Sequence, residues 1–123
     1  MPLGSQDFGP HDWSGTSKSD NSAKQYYLLE LTATALEVDV CNSTTDIPIG
    51  VLQNKPKASQ AATIRSSGIT KVVTDGTTAI AVGDLLGTDN GGKAVKKTAD
   101  ANHVLGIALG ASSANGTEIY MLL

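Results

Sequence analysis

The clearest pattern in the chain is Leu36-Glu37-Val38-Asp39-Val40-Cys41, where apolar and acidic residues alternate with a period of two. Side chains on a strand point to opposite faces in turn, so the spacing predicts a strand with Leu36, Val38 and Val40 on a core and Glu37 and Asp39 in water. Noisier runs of Val, Ile, Leu and Thr predict further strands at Tyr26 to Thr32, Ile47 to Gln53, Ala61 to Arg65, Ile69 to Thr74, Asp84 to Thr88, His103 to Leu109 and Thr117 to Leu122. Eight short strands and no long helical period predict an all-β fold, a small barrel or sandwich of short antiparallel strands.

The residues between these runs fit that reading. Asp75-Gly76, Asp89-Asn90-Gly91-Gly92 and Asn115-Gly116 supply the positive-φ positions that tight reversals need. Proline has no backbone donor, which places Pro48 at the start or edge of a strand and Pro56 in a loop. Gly50 and Gly106 each interrupt an apolar strand, where glycine weakens the ladder unless a bend or a second backbone needs the space. They are read as structural glycines, either at barrel corners or at ordinary bulges.

Residues 1–24 differ in kind. They hold three glycines, two prolines and five serines without a periodic apolar pattern, and yet carry Phe8 and Trp13, the one Phe and the one Trp of the chain. The division expected is an N-terminal arm over residues 1–24 and a β-rich body over 25–123. The arm is either a tail with incidental aromatics or an anchor that uses Phe8 and Trp13 as apolar contacts. Pro2-Leu3-Gly4-Ser5 also has the look of a cloning scar.

The chain's 123 residues allow one domain. Charged residues are only 17%, and nine basic against twelve acidic side chains give a net charge of -3. That balance lacks the basic footprint of a nucleic-acid binder, so no nucleic-acid partner is expected. No apolar run reaches the roughly 18 residues of a spanning helix, and no signal peptide is read at the start, so no membrane partner is expected either. The single cysteine, Cys41, has no partner for an internal disulfide.

The order of segments carries a family resemblance. Ile47-Pro48-Ile49-Gly50-Val51-Leu52, a strand-turn-strand, Ala81-Val82-Gly83-Asp84-Leu85-Leu86, a Gly-rich turn, Val104-Leu105-Gly106-Ile107-Ala108-Leu109 and a closing Gly116-Thr117-Glu118-Ile119-Tyr120-Met121-Leu122-Leu123 follow one another. From about Leu36 to Leu123 the chain resembles the small capsid decoration, or cement, proteins of tailed bacteriophages. The resemblance implies a compact β-rich body that trimerises on the outside of an icosahedral head at local three-fold sites and stabilises it. The major capsid protein and further copies of the chain would be its partners, the virion its location, and the host cytoplasm its place of synthesis. It implies no catalysis and no cofactor. An N-terminal arm makes the capsid contact in many such proteins, and residues 1–24, with Phe8 and Trp13, correspond by position. The runner-up reading is a small β-barrel module that binds a ligand, a carbohydrate first of all, although the body offers only Tyr26, Tyr27 and Tyr120 as aromatic platforms.

The stock of reactive groups is thin. His11 beside Asp12 is half of a metal site without other clustered ligands, so no metal is expected. His103 reads as a turn or strand-edge residue, Cys41 as a passive small side chain on the polar side of its strand, and Asp84 as turn chemistry. Gly87 to Lys93 lacks the order of a phosphate-binding loop and reads as a hairpin. Asp84, Asp89 and Asp100 are too dispersed for a calcium loop, and Lys93, Lys96 and Lys97 read as a solvated strand face.

Overall fold

The computed structural model describes residues 11–97 and 103–123. They form ten strands, β1 (His11–Ser17), β2 (Leu28–Leu31), β3 (Glu37–Val40), β4 (Gly50–Leu52), β5 (Ala61–Ser67), β6 (Ile69–Val73), β7 (Leu85–Thr88), β8 (Ala94–Lys97), β9 (Gly106–Ala108) and β10 (Glu118–Leu122). The first five close into a barrel in the order β1-β3-β2-β4-β5, and the rest form a sheet in the order β6-β10-β9-β7-β8. The chain passes from barrel to sheet at Gly68, whose φ of 87° turns β5 directly into β6. The second sheet curls until its edge strands approach each other, where Thr74, just past β6, forms a bridge with Ala94 of β8. The all-β expectation holds, the described strands pairing antiparallel except β1 with β3, and the Thr74–Ala94 bridge is parallel as well.

Two apolar cores follow from this arrangement. The barrel encloses Leu29, Val38, Val40, Leu52, Ala62 and Ile64. The curled sheet encloses Val72, Leu86, Ala94, Ala108, Ile119 and Met121, and its core also takes Leu28, Cys41 and Val51 from the barrel. The wall made by β2, β4 and Cys41 just past β3 is therefore buried on both faces. Cys41 was expected on a polar face, but the second sheet covers that face, and the thiol lies in the shared core, 1% exposed.

Leu36 departs from expectation in the other direction. A turn precedes β3, and Leu36 closes it at a φ of 60°, which removes it from the strand's alternation and leaves it 68% exposed. Its carbonyl instead accepts the Thr16 N–H at 2.9 Å, fastening β3 to β1. Pro48 precedes β4 and Pro56 lies in the loop after it, where the Pro56 carbonyl accepts the Asn21 N–H at 2.9 Å.

The two interrupting glycines stand where backbones come close. A Cβ on Gly50 would lie 2.7 Å from the Arg65 carbonyl oxygen and 2.7 Å from Ile64 Cγ2. One on Gly106 would lie 2.5 Å from the Leu122 carbonyl oxygen and 2.8 Å from Met121 Cγ. Gly50 belongs to the barrel and Gly106 to the second sheet, so the two are not corners of one barrel.

Candidate functional site

The amino-terminal stretch is bound more closely to the body than its composition suggests. Residues 11–17, placed with the arm in the sequence, form β1, the strand that closes the barrel between β3 and β5. Trp13, Gly15 and Ser17 share the inner face. Trp13 is half-buried against the barrel core, and a Cβ on Gly15 would stand 2.7 Å from the Leu36 carbonyl oxygen, 3.3 Å from Ile64 Cδ1 and 3.6 Å from the Trp13 ring, so the glycine lets β1 approach β3 closely. The indole N–H donates to Ser66 Oγ at 2.9 Å, and the Ser66 hydroxyl donates to the Ile49 carbonyl at 2.9 Å. On the outer face Asp12 accepts two bonds from Arg65, at 2.8 and 3.1 Å, and Arg65 also donates to the Ile69 carbonyl at 3.0 Å. The Arg65 guanidinium holds the Asp12 carboxyl below the usual range. The pairing occupies the carboxylate that the His11-Asp12 reading would have offered to a metal.

Beyond β1 the chain stays attached. Asn21 is buried, and its amide donates to Ser17 Oγ and to Asp39 Oδ1, each at 3.0 Å. The segment of the expected arm that precedes β1, including Phe8, lies outside the described residues, as does Asp100.

The titratable groups of the body serve turns and pairs. Asp84 Oδ2 accepts the Ala81 N–H at 2.8 Å, and Asp89 Oδ1 accepts those of Gly91 and Lys93 at 2.8 Å each, which is turn chemistry. The three lysines read as a solvated face each reach a neighbour: Lys93 Nζ donates to Asn115 at 2.8 Å, Lys96 stands 3.7 Å from Asp84, and Lys97 donates to the Thr44 carbonyl at 3.3 Å. His103 precedes β9 at a φ of 70°, a turn conformation.

One cluster was not foreseen. Ligand atoms of Glu30, Cys41 and Asp46 lie within 4.8 Å of one another. Burial, and then the hydrogen bond to Asp46, push Glu30 up to about 7. Asp46 is held below the usual range by that same bond and by the N–H groups of Asn42 and Ser43, which donate to its Oδ2 at 2.8 and 2.9 Å. Burial pushes the Cys41 thiol up to about 12. Near neutral pH the thiol is held neutral by burial, and Glu30 stands close to its midpoint beside Asp46, so Cys41 is not primed as a nucleophile. Sequence reasoning missed it because the three residues meet only through the pairing of β2 with β3 and the turn after β3.

The three tyrosines do not form a platform. Tyr26 and Tyr27 pack on different cores, as their adjacency requires, and Tyr120 stands on the second sheet, 55% exposed.

The described residues thus form a closed five-stranded barrel packed on a curled five-stranded sheet, with Asp12, Asp84, Asp89 and the three lysines engaged in pairs and turns. The phage cement protein family matches residues 22–123, and the chain belongs to it. The family's role is structural, on the phage capsid, and the chain is not expected to be an enzyme. The solved N base of the head fibre gp8.5 of bacteriophage phi29 is similar in fold, with a TM-score of 0.66, 20% identity and 93% of each chain covered. No characterised sequence relative matches the chain.

Proposed function

We propose that the protein binds the outside of an icosahedral phage head at local three-fold sites as a homotrimer and braces neighbouring capsomers against outward opening. Membership of the phage cement family over residues 22–123 is the observation that carries this reading. The mechanism is adhesive. A trimer touching three neighbouring capsomers forms its second and third contacts at high effective concentration, so modest individual contacts give tight binding. The major capsid protein is the partner, and the net charge of -3 is in keeping with a protein surface rather than a nucleic acid.

The capsid contact is assigned to the start of the chain, with Phe8 and the exposed edge of Trp13 as its apolar anchors. The reading gains from the position of β1: a strand fixed in the barrel gives the ten residues before it a firm base, from which they reach up to ~33 Å when extended. Trp13 has a second duty in seating β1, so Phe8 gives the cleaner test. Purified protein mixed with undecorated capsids should co-sediment with them, and Phe8→Ala should weaken that binding at least tenfold with the fold unchanged. Failure of the unaltered protein to bind capsids would overturn the proposal.

A further inference from the structure

Most exposed apolar side chains of a small protein are scattered singly, but here five lie together on the outer face of the second sheet. Ile69, Leu122, Ile107 and Leu85 stand in direct register across β6, β10, β9 and β7. The first three of these, with Tyr120 and Leu109, are between 39% and 55% exposed. Tyr120 pairs with Lys71 on β6, and its carbonyl accepts the Leu109 N–H at 2.9 Å, so the two side chains extend the row into a patch. The alternation of β10 explains the patch: Ile119 and Met121 enter the core, and Glu118, Tyr120 and Leu122 must face out. A solvated strand would put polar residues at those positions, and this one keeps two large apolar ones.

We propose that this face, made by Ile69, Ile107, Leu109, Tyr120 and Leu122, is the surface through which copies of the chain associate, three such faces meeting around the trimer axis. The inference deepens the trimer reading above and rests on it. Three observations favour a second copy as the occupant. The five side chains expose on the order of 500 Å², the size of patch that marks an interaction site and more than half of the ~800 Å² each partner buries in a standard interface. The patch is apolar, as permanent contacts between copies are, whereas contacts between separately soluble partners, such as a decoration protein and a finished shell, are more polar. Lys71 and Glu118 flank Tyr120 on the same face, so copies meeting there bring both signs of charge to the rim. The ten residues ahead of β1 offer Met1, Leu3 and Phe8 as large apolar side chains, three against the five of the patch.

The test is sedimentation velocity of the full chain at micromolar concentration without capsids. The unaltered protein should run as a trimer, and the Ile107→Lys, Tyr120→Glu double variant as a monomer with an unchanged β-type circular dichroism spectrum. Ile69→Lys alone, at the margin of the patch, should raise the dissociation constant at least tenfold and covers the case in which the double variant fails to fold. Leu31→Lys with Ile47→Lys, on exposed residues of the barrel side, should leave the trimer intact. An unaltered protein that is monomeric but still decorates capsids would overturn this inference and leave the decoration reading standing. A double variant that stays trimeric but no longer binds capsids would reassign the face to the shell. A monomer that binds an apolar dye only after removal of residues 1–10 would reassign it to that segment.

Discussion

Leu28 and Leu29 are neighbours in the chain and both are completely buried, yet they belong to different cores. Leu28 points into the curled sheet and Leu29 into the barrel, so one strand serves as a wall for both. Truncating either to alanine should cost about 2–5 kcal/mol. Because the wall is shared, each variant should still unfold in a single transition in urea, seen at the same midpoint by fluorescence and by circular dichroism. Separate transitions would show two independent units.

The barrel closes only through β1, which sets the length of amino terminus that can be removed. Deletion of residues 1–10 should leave the thermal midpoint within a few degrees of the intact chain. Deletion of residues 1–17 removes Trp13, the Asp12–Arg65 pair and the strand between β3 and β5, and should leave the protein largely unfolded. Thermal denaturation of the two truncations distinguishes this from an amino terminus that is dispensable up to residue 24.

Gly50 and Gly106 have no room for a Cβ. Alanine at either should destabilise by roughly 1–3 kcal/mol through overpacking against a backbone carbonyl that cannot retreat. Gly91, where the nearest atom to an added Cβ is a carboxylate oxygen at 3.7 Å, should accept alanine with a change of about 0.5 kcal/mol or less. Denaturant midpoints of the three variants supply the comparison.

Glu30 gives stability a pH dependence whose sign is fixed by its shift. Its folded value, about 7, lies above its ordinary value of 4.5, so the folded protein holds a proton that the unfolded chain releases between these limits. Stability from this group is fully present below about pH 4.5 and falls as pH rises toward 7. Asp46, shifted down, acts in the opposite sense, its contribution being lost as pH falls below the ordinary value of 3.8. Glu30→Gln should flatten the slope between pH 4.5 and 7. Urea midpoints measured across that range would test it.

How far the sequence revealed this structure depends on how many faces of each strand are covered. β3, β5, β6 and β10 carry a core on one face and alternate visibly. The double burial of the shared wall was written in the same residues, as the adjacent pairs Leu28-Leu29, Val40-Cys41 and Val51-Leu52, in which two neighbours are both buried. A break in alternation inside a strand is the mark of a second covered face. β1 escaped notice because Trp13 is the one large apolar residue on its inner face, the other inner positions being Gly15, pressed against the Leu36 carbonyl, and Ser17. β8 escaped because Lys96 and Lys97 mask a four-residue strand. The Glu30–Cys41–Asp46 cluster was not legible, since only tertiary pairing assembles it.

Decoration requires the protein to sit on the outside of the shell. Cryo-electron microscopy of undecorated capsids incubated with the purified chain tests that directly, with difference density computed against capsids alone. Added density is predicted on the outer surface at local three-fold positions, shaped as three copies of a barrel packed on a curled sheet. Density confined to the five-fold vertices, single copies away from any three-fold axis, or no added density would contradict it.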